Sequence, residues 1–260
     1  PAKYRELLKN AVGIRLRSDV PLGVSLSGGI DSSSITSIVY DDFHEKNIHT
    51  FSAVYGKGEW ADESDFIDAY NSTLKNMHFI SPNADTFYSD FENFIEAQGE
   101  PIASIGPYAQ YKVMQLAQGN VTVTLDGQGA DEQLAGYHYF FGSYYKELLT
   151  SFKLLRLVRE VIYYIKNHKS IDALKYMLFY LLPASIQRKL GGKIYGYINA
   201  DFASKWEKKS TLGEDLYNPK TLNESLVDHF EFKLEHLLKW DDLNAMNFSI
   251  ESRVPFLDHF

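Results

Sequence analysis

The 260-residue sequence contains no cysteine, which excludes disulfide scaffolds, thiolate metal sites and thiol nucleophiles and fits a reducing, cytoplasmic setting. Basic excess is missing as well. Lys and Arg number 26 against 34 Asp and Glu, a formal net charge of −8, so the clustered cations that grip a phosphate backbone are not in evidence and nucleic acid is not an expected partner. Long apolar runs are scarce. The most apolar stretch, YMLFYLLPASI (176–186), falls far short of the roughly 18 residues that cross a bilayer, and the opening PAKYRELLKN carries no signal-peptide-like run; no membrane association is expected. The eight histidines show no metalloprotease spacing, and neither a serine-hydrolase elbow, a Walker A motif nor the Rossmann fingerprint occurs.

The pattern that is present changes once along the chain. From Pro1 to about Gly136, short β-type runs alternate with amphipathic stretches. KYRELLKNAVGIRLRS (3–18) has the apolar spacing of an opening helix, GVSLS (23–27) reads as a first strand and SSITSIVYDDF (33–43) as the helix after it. IHTFSAVY (48–55), MHFIS (77–81) and VTVTLD (121–126) read as three further strands, with ESDFIDAYNSTL (63–74) a helix between the second and third. Strands separated by helices imply parallel pairing. The expected fold is α/β, a doubly wound parallel sheet over 1–137. Past Tyr137 come long helix-like patterns, YYKELLTSFKLLRLVREVIYYI (144–165) and ESLVDHFEFKLEHLLKW (224–240), so an all-helical part over 138–260 is expected to pack on the sheet and share its core.

Two stretches carry candidate chemistry. LSGGIDSSSI (26–35) leaves the first strand through a turn poor in side chains and rich in hydroxyls. Gly28 and Gly29 let phosphate oxygens approach the backbone, Ser27, Ser32 and Ser33 add hydroxyl donors, and Asp31 becomes sensible beside phosphate if Mg²⁺ bridges the two. The competing reading is a turn whose Asp and Ser residues cap the next helix. LDGQGADEQLAGY (125–137) repeats the device, with Gly127 and Gly129 followed by Asp131 and Glu132 at a helix start. Those acids either join a metal–polyphosphate clamp or complement the helix dipole.

SGGIDSS resembles the pyrophosphate-binding loop of the N-type ATP pyrophosphatases. Together with DGQGADEQLAGY and the terminal SIESRVPFLDHF, it resembles the synthetase domain of glutamine-dependent asparagine synthetases. FSAVYG, ADES and EPIASIGPY follow that family's order. The resemblance implies an adenine nucleotide alpha-hydrolase-like fold and ATP-dependent activation of a carboxylate: aspartate attacks the α-phosphorus of ATP, pyrophosphate leaves, and ammonia displaces AMP. It implies that Ser27, Gly28, Gly29, Asp31 and Ser32 hold pyrophosphate, that Ser25, Ala53, Asp126 and Gly127 meet the adenosine part, and that Asp31 and Asp131 hold Mg²⁺. Glu251, Arg253 and Asp258 match the family's closing motif, which implies a catalytic role for Glu251 and Arg253 beside Gln128, although an Arg between two acids is more often an ion-pair network.

Three departures qualify the resemblance. Gln128 stands where asparagine synthetases usually carry a glutamate; an amide cannot accept a proton as general base, so Gln128 would orient the intermediate, and the acceptor is aspartate or another small carboxylate, as in surface polysaccharide or peptide modification. EPIASIGPY lacks an arginine found in some members. The glutaminase domain is absent from this chain, so ammonia is expected from outside it, and the chain reads as a fragment of a longer protein. A nucleotide-binding module without chemistry is the bland alternative. Association into a homodimer is left open. His78, near a position where the family often has histidine, reads more readily as a surface or core residue.

Overall fold

The computed structural model describes residues 2–56, 63–102, 104–191, 199–207 and 216–259. The chain divides into two compact units, one made of residues 1–130 with 236–260 and the other of residues 131–235. The division expected at residue 137 thus differs from the observed one in two respects: the second glycine turn is cut after Ala130, and the last 25 residues belong with the sheet.

In the sheet unit the elements run α1 (Ala2–Arg15), β1 (Leu22–Ser25), α2 (Ile30–Ser37), β2 (His49–Ala53), α3 (Ser64–Asp68), β3 (Asn76–Ile80), α4 (Ala84–Gln98), α5 (Gly106–Ala117) and β4 (Val123–Leu125). A π-helical turn, Ile38–Asp42, extends α2. After the second unit the chain re-enters through a helix over Leu234–Asn247 and closes with a strand, Glu251–Arg253, and a 3₁₀ turn, Pro255–Leu257. In chain order the last helix is α13 and the last strand β5. All neighbouring strands pair in parallel, in the order β3-β2-β1-β4-β5. The parallel sheet expected from the alternation of strands and helices is present. The fifth strand was not expected, because three residues, Glu-Ser-Arg, give no apolar signal; their strand conformation comes from pairing with β4, Leu125 opposite Arg253.

This order has a physical consequence. The chain steps outward from β1 to β2 to β3, then returns to place β4 on the other side of β1, so the connections leaving β1 and β4 diverge and open a crevice at their carboxyl ends. The paired residues Leu22–Val123, Gly23–Thr124 and Val24–Leu125 hold the two strand ends level.

Alternation along the strands sorts side chains onto two faces. Val24 and Leu125 join Leu8 and Val12 of α1 and Ile35 and Val39 near α2 in one apolar cluster. Phe51 turns the other way and meets Phe94 of α4, Tyr111 and Met114 of α5, and Ile250. Both faces are therefore covered, as a parallel sheet requires. Helices α4 and α5 escaped the sequence reading. Helix α4 begins in a capping box: Asn83 Oδ1 accepts from Thr86 N at 2.9 Å, and Asn83 N donates to Thr86 Oγ1 at 3.0 Å.

The second unit is helical: α6 (Ala130–Leu134, whose first residue is in the sheet unit), α7 (His138–Thr150), α8 (Leu154–His168), α9 (Asp172–Leu181), α10 (Ala184–Gly191), α11 (Ala200–Glu207) and α12 (Leu222–Phe232). Its core is aromatic, with Tyr145, Tyr164 and Ala173 buried against Phe141, Tyr144 and Met177. Both long helical patterns are broken. Residues 144–165 split at Ser151–Lys153, where Phe152 takes φ +56°, and residues 224–240 split at Lys233, between α12 and α13. Helical periodicity continues across each break because both flanking helices bury an apolar face. Similarly, 63–74 is helical only over Ser64–Asp68, since Asn71, Ser72 and Thr73 favour turns over helix interior.

Candidate active site

The first glycine turn lies at the carboxyl end of β1, and its serines bind the turn itself. Ser32 Oγ accepts from Ser27 N at 3.1 Å and lies 3.1 Å from Ser27 Oγ; Ser27 Oγ accepts from Gly29 N at 3.2 Å. Gly28 takes φ +93°, and a Cβ there would stand 2.9 Å from the Glu63 carbonyl oxygen, so glycine is required by both backbone conformation and space. Gly29 is the N-cap of α2 and has no side chain to cap that helix. Ser32 Oγ donates to the Gly29 carbonyl at 3.3 Å and Ser33 Oγ to the Gly28 carbonyl at 3.4 Å, so these two hydroxyls donate to the turn's carbonyls. The positive end of the α2 dipole opens at the strand ends, with Asp31 half-buried in its first turn.

The second turn lies directly beside the first. A Cβ on Gly127 would come within 3.4 Å of Asp31 Cβ and 3.5 Å of Ser32 N. Gly129 takes φ +91°, and its Cβ would clash with Leu257 at 2.3 Å, which fixes glycine there and seats the turn on the closing 3₁₀ segment. Beneath it, Asp126 is 3% exposed. Its Oδ2 accepts from Thr124 Oγ1 at 2.8 Å and Ser252 Oγ at 2.9 Å, while burial raises its pKa above the usual carboxylate range.

The structure brings together Ser25, Ser27, Gly28, Gly29, Asp31 and Ser32 with Asp126, Gly127 and Gln128 at neighbouring strand ends. Ala53 ends β2, the strand on the other side of β1, where Leu26 N donates to Phe51 O at 2.9 Å. Asp131 opens the helical unit in the first turn of α6, and burial raises its pKa. Glu251 and Arg253 have a different setting. Arg253 Nε donates to Glu251 Oε1 at 2.7 Å, and its Nη1 donates to the carbonyls of Arg15 and Arg17 at 2.6 and 2.9 Å. Arg15 in turn donates to Asp258 at 3.0 Å. These charges tie β5 and the chain end to the carboxyl end of α1. His78 sits on β3 with Nε2 3.0 Å from His49 Nδ1; burial, then the neighbouring imidazole, lowers its pKa.

Glu63 was missed as a site residue by the sequence reading. Its carbonyl stands over Gly28, and its Oε2 would lie 3.9 Å from a Cβ on Gly29, with its pKa raised by burial. A cavity of about 780 Å³ opens on this flank, lined by Gly28, Gly29, Ser33, Tyr40, Glu63 and Tyr70 among others. It borders the glycine turn but not Ser25, Ala53 or Asp126.

Two observations bear on what the site accepts. Ser25 Oγ is buried at the end of β1, near enough to the Asp126 carboxyl to favour its ionised form and with no other hydrogen-bond partner, so it has capacity left for a ligand at the strand ends. Among the described residues no group of three or more His, Asp or Glu side chains is placed to hold a metal. A magnesium ion here would rest on one or two carboxylates and on phosphate oxygens, its usual mode with nucleotides.

The fold is that of a parallel α/β protein with two glycine turns side by side at the carboxyl ends of paired strands. The asparagine synthase family model matches residues 3–260, and the chain belongs to the asparagine synthase family. Relatives include a putative asparagine synthetase (glutamine-hydrolyzing) 2 of Methanocaldococcus jannaschii, 34% identical over 59% of this chain and 30% of that protein. Asparagine synthetase (glutamine-hydrolyzing) 1 of Bacillus subtilis is 32% identical over 98% of this chain and 42% of its own length. The amidase chyE of Penicillium rubens is 26% identical, covering 98% of this chain and 44% of that protein. The chain thus spans less than half the length of these curated relatives. No described helix is long and apolar enough to cross a membrane.

Proposed function

We propose that this chain is the synthetase part of an ATP-dependent amide-forming ligase that activates a small carboxylate, nominally the side chain of aspartate, and amidates it with ammonia. The observation that carries this reading is the juxtaposition of the two glycine turns at the ends of paired strands, with Gly127 against Asp31. A substrate carboxylate oxygen bonds to the α-phosphorus as the bond to the β-phosphate oxygen breaks, and pyrophosphate leaves. Ammonia nitrogen then bonds to the acyl carbon, the bond to AMP breaks, and nitrogen loses a proton.

Charge grows on the leaving pyrophosphate, so catalysis here is mainly fixed donors at that position. Ser27, Gly28, Gly29 and Ser32 are suited to it because their own hydrogen bonds already hold the turn open toward the helix N-terminus. Ser25, Ala53, Asp126 and Gly127 are assigned to the adenosine part, Ser25 through its buried hydroxyl beside Asp126. Asp31 and Asp131 are assigned to Mg²⁺, which when bound supplies charge neutralisation on the phosphates. Gln128 orients by hydrogen bonding, and the proton from nitrogen goes to another group, since an amide does not take it. Ammonia is supplied by a glutaminase domain that lies outside these 260 residues.

Gln128 also favours a second reading, amidation of a carboxylate other than aspartate, and the amidase relative fits it. A panel of carboxylates assayed with ATP and ammonia for AMP and pyrophosphate decides: aspartate-dependent release supports the first reading and defeats the second. If no carboxylate releases AMP although ATP binds, the chain is a nucleotide-binding module. Asp31→Ala is expected to abolish ATP binding in magnesium; unchanged affinity by calorimetry refutes its metal role.

A further inference from the structure

A buried acid pair lies on the sheet face covered by α5 and α13. Asp126, after β4, and Asp241, in α13, are each 3% exposed. Ser252 of β5 stands between them, its Oγ 2.9 Å from Asp126 Oδ2 and within hydrogen-bonding distance of Asp241 Oδ2. A hydroxyl has one hydrogen to donate. Two ionised carboxylates cannot both be satisfied by it, because neither has a hydrogen to give back. Both contacts become hydrogen bonds only if one carboxyl is protonated and donates to Ser252 Oγ.

The remaining partners say which one. Asp126 Oδ2 also accepts from Thr124 Oγ1 at 2.8 Å, and two hydroxyl donors on one oxygen favour the ionised form. On Asp241, Gln110 Nε2 donates to Oδ1, which leaves Oδ2 to carry the hydrogen. Gln110 is itself fixed, since Asn244 Nδ2 donates to its Oε1 at 3.1 Å and to Pro107 O at 3.0 Å.

We infer that Asp241 and Asp126 share a single proton, donated from Asp241 through Ser252 Oγ to Asp126, and that Asp241 is thereby a positioning residue for the Asp126–Gly127 turn. The turn needs this support because Asp126 N ends the β4–β5 ladder, donating to Arg253 O at 2.8 Å, and Gly127 follows at once. Burial, followed by the charge of Asp126, pushes the Asp241 carboxyl up to about 8. The groups facing the pair are Asp242 from the same helix and the uncharged Ser25, Thr124, Gln110 and Ser252; none of these is cationic, so sharing a proton is the route to neutralisation open to the pair.

Asp241→Asn tests this, because its amide donates permanently to Ser252 Oγ. An acid whose pKa is raised in the folded state takes up a proton on folding. Its support is complete below the unfolded value of 3.8 and is lost as pH rises toward about 8. Relative to Asp241→Asn, the wild-type folding constant should therefore fall by about tenfold per pH unit across that window and then level off. Infrared difference spectra of the full chain at about pH 6 should show a protonated-carboxyl band that Asp241→Asn removes. Parallel stability profiles, or a wild type without that band, overturn the shared proton; the band alone decides should the variant fail to fold. The positioning role rests on the proposed ATP site: the KM for ATP should rise in the wild type as pH passes about 8 and stay flat in Asp241→Asn, with kcat little changed. Equal KM profiles overturn that role, while the stability and infrared readouts do not depend on ATP turnover.

Discussion

The two units bury polar groups in different ways. In the sheet unit one set of polar side chains is connected, from Gln98 through Asn244, Gln110 and Asp241 to Ser252, Asp126 and Thr124, and it ends under the second glycine turn. In the helical unit the chain of buried polar groups is shorter, with Ser143 Oγ 3.1 Å from Ser225 Oγ and His229 Nδ1 2.7 Å from the Ser225 carbonyl oxygen, and aromatic rings with a polar tip close much of the core. Tyr145 OH donates to the Glu160 carbonyl at 3.2 Å and Tyr164 OH lies 2.8 Å from His138 Nδ1, and burial, followed by neighbouring groups led by Tyr164, pushes the Tyr145 hydroxyl up to about 12. Rings bring large apolar area with one polar tip, so they close a core without needing a continuous network. The longer chain of the sheet unit bears the desolvation cost of two acids and three amides. The helical unit also leaves apolar residues in water: Leu155 of α8 is 92% exposed.

The largest expected effect sharpens this contrast on the helical side. Tyr145→Ala removes a ring that is 1% exposed and should cost about 4 kcal/mol, read as lost hydrogen-exchange protection in α7 and α8. Equal loss in β1 and β4 would erase the distinction between the units. Next, Gly129→Ala forces a Cβ into Leu257 and a side chain into a left-handed conformation, a cost of about 3 kcal/mol. It should weaken ATP binding well before it changes the helical unit's protection, and unaltered binding would show that the second turn is not held as described. Smallest, Asn83→Ala opens the α4 capping box and should cost about 1 kcal/mol in chemical denaturation without altering nucleotide affinity. A change in affinity there would mean that the polar network transmits strain from α4.

Much of this was legible in the sequence. Val121–Asp126 and Ile48–Tyr55 announce strands by β-branched alternation, and the observed β4 and β2 lie within them. Gly28 and Gly129 announce turns because their left-handed backbone and close neighbours leave no place for a side chain. Asp241 was not legible, because an acid in a helical pattern reads as a solvated face, and only the arrival of α13 on the sheet buries it. Glu63 was hidden for a similar reason: nothing in its local pattern places its carbonyl over Gly28. Strand β5 had no local signal at all.

By itself the sequence determined the alternation of strands and helices, the two glycine turns, and the chemistry they can offer to phosphate, because backbone freedom and periodicity are local properties of the chain. Only the tertiary structure decided that β4 pairs with β1 rather than with β3, which sets Gly127 against Asp31, and that Asp241 meets Asp126 across Ser252. Those outcomes depend on contacts between residues more than a hundred positions apart, Asp126 and Ser252 among them, whose free energy no local stretch contains.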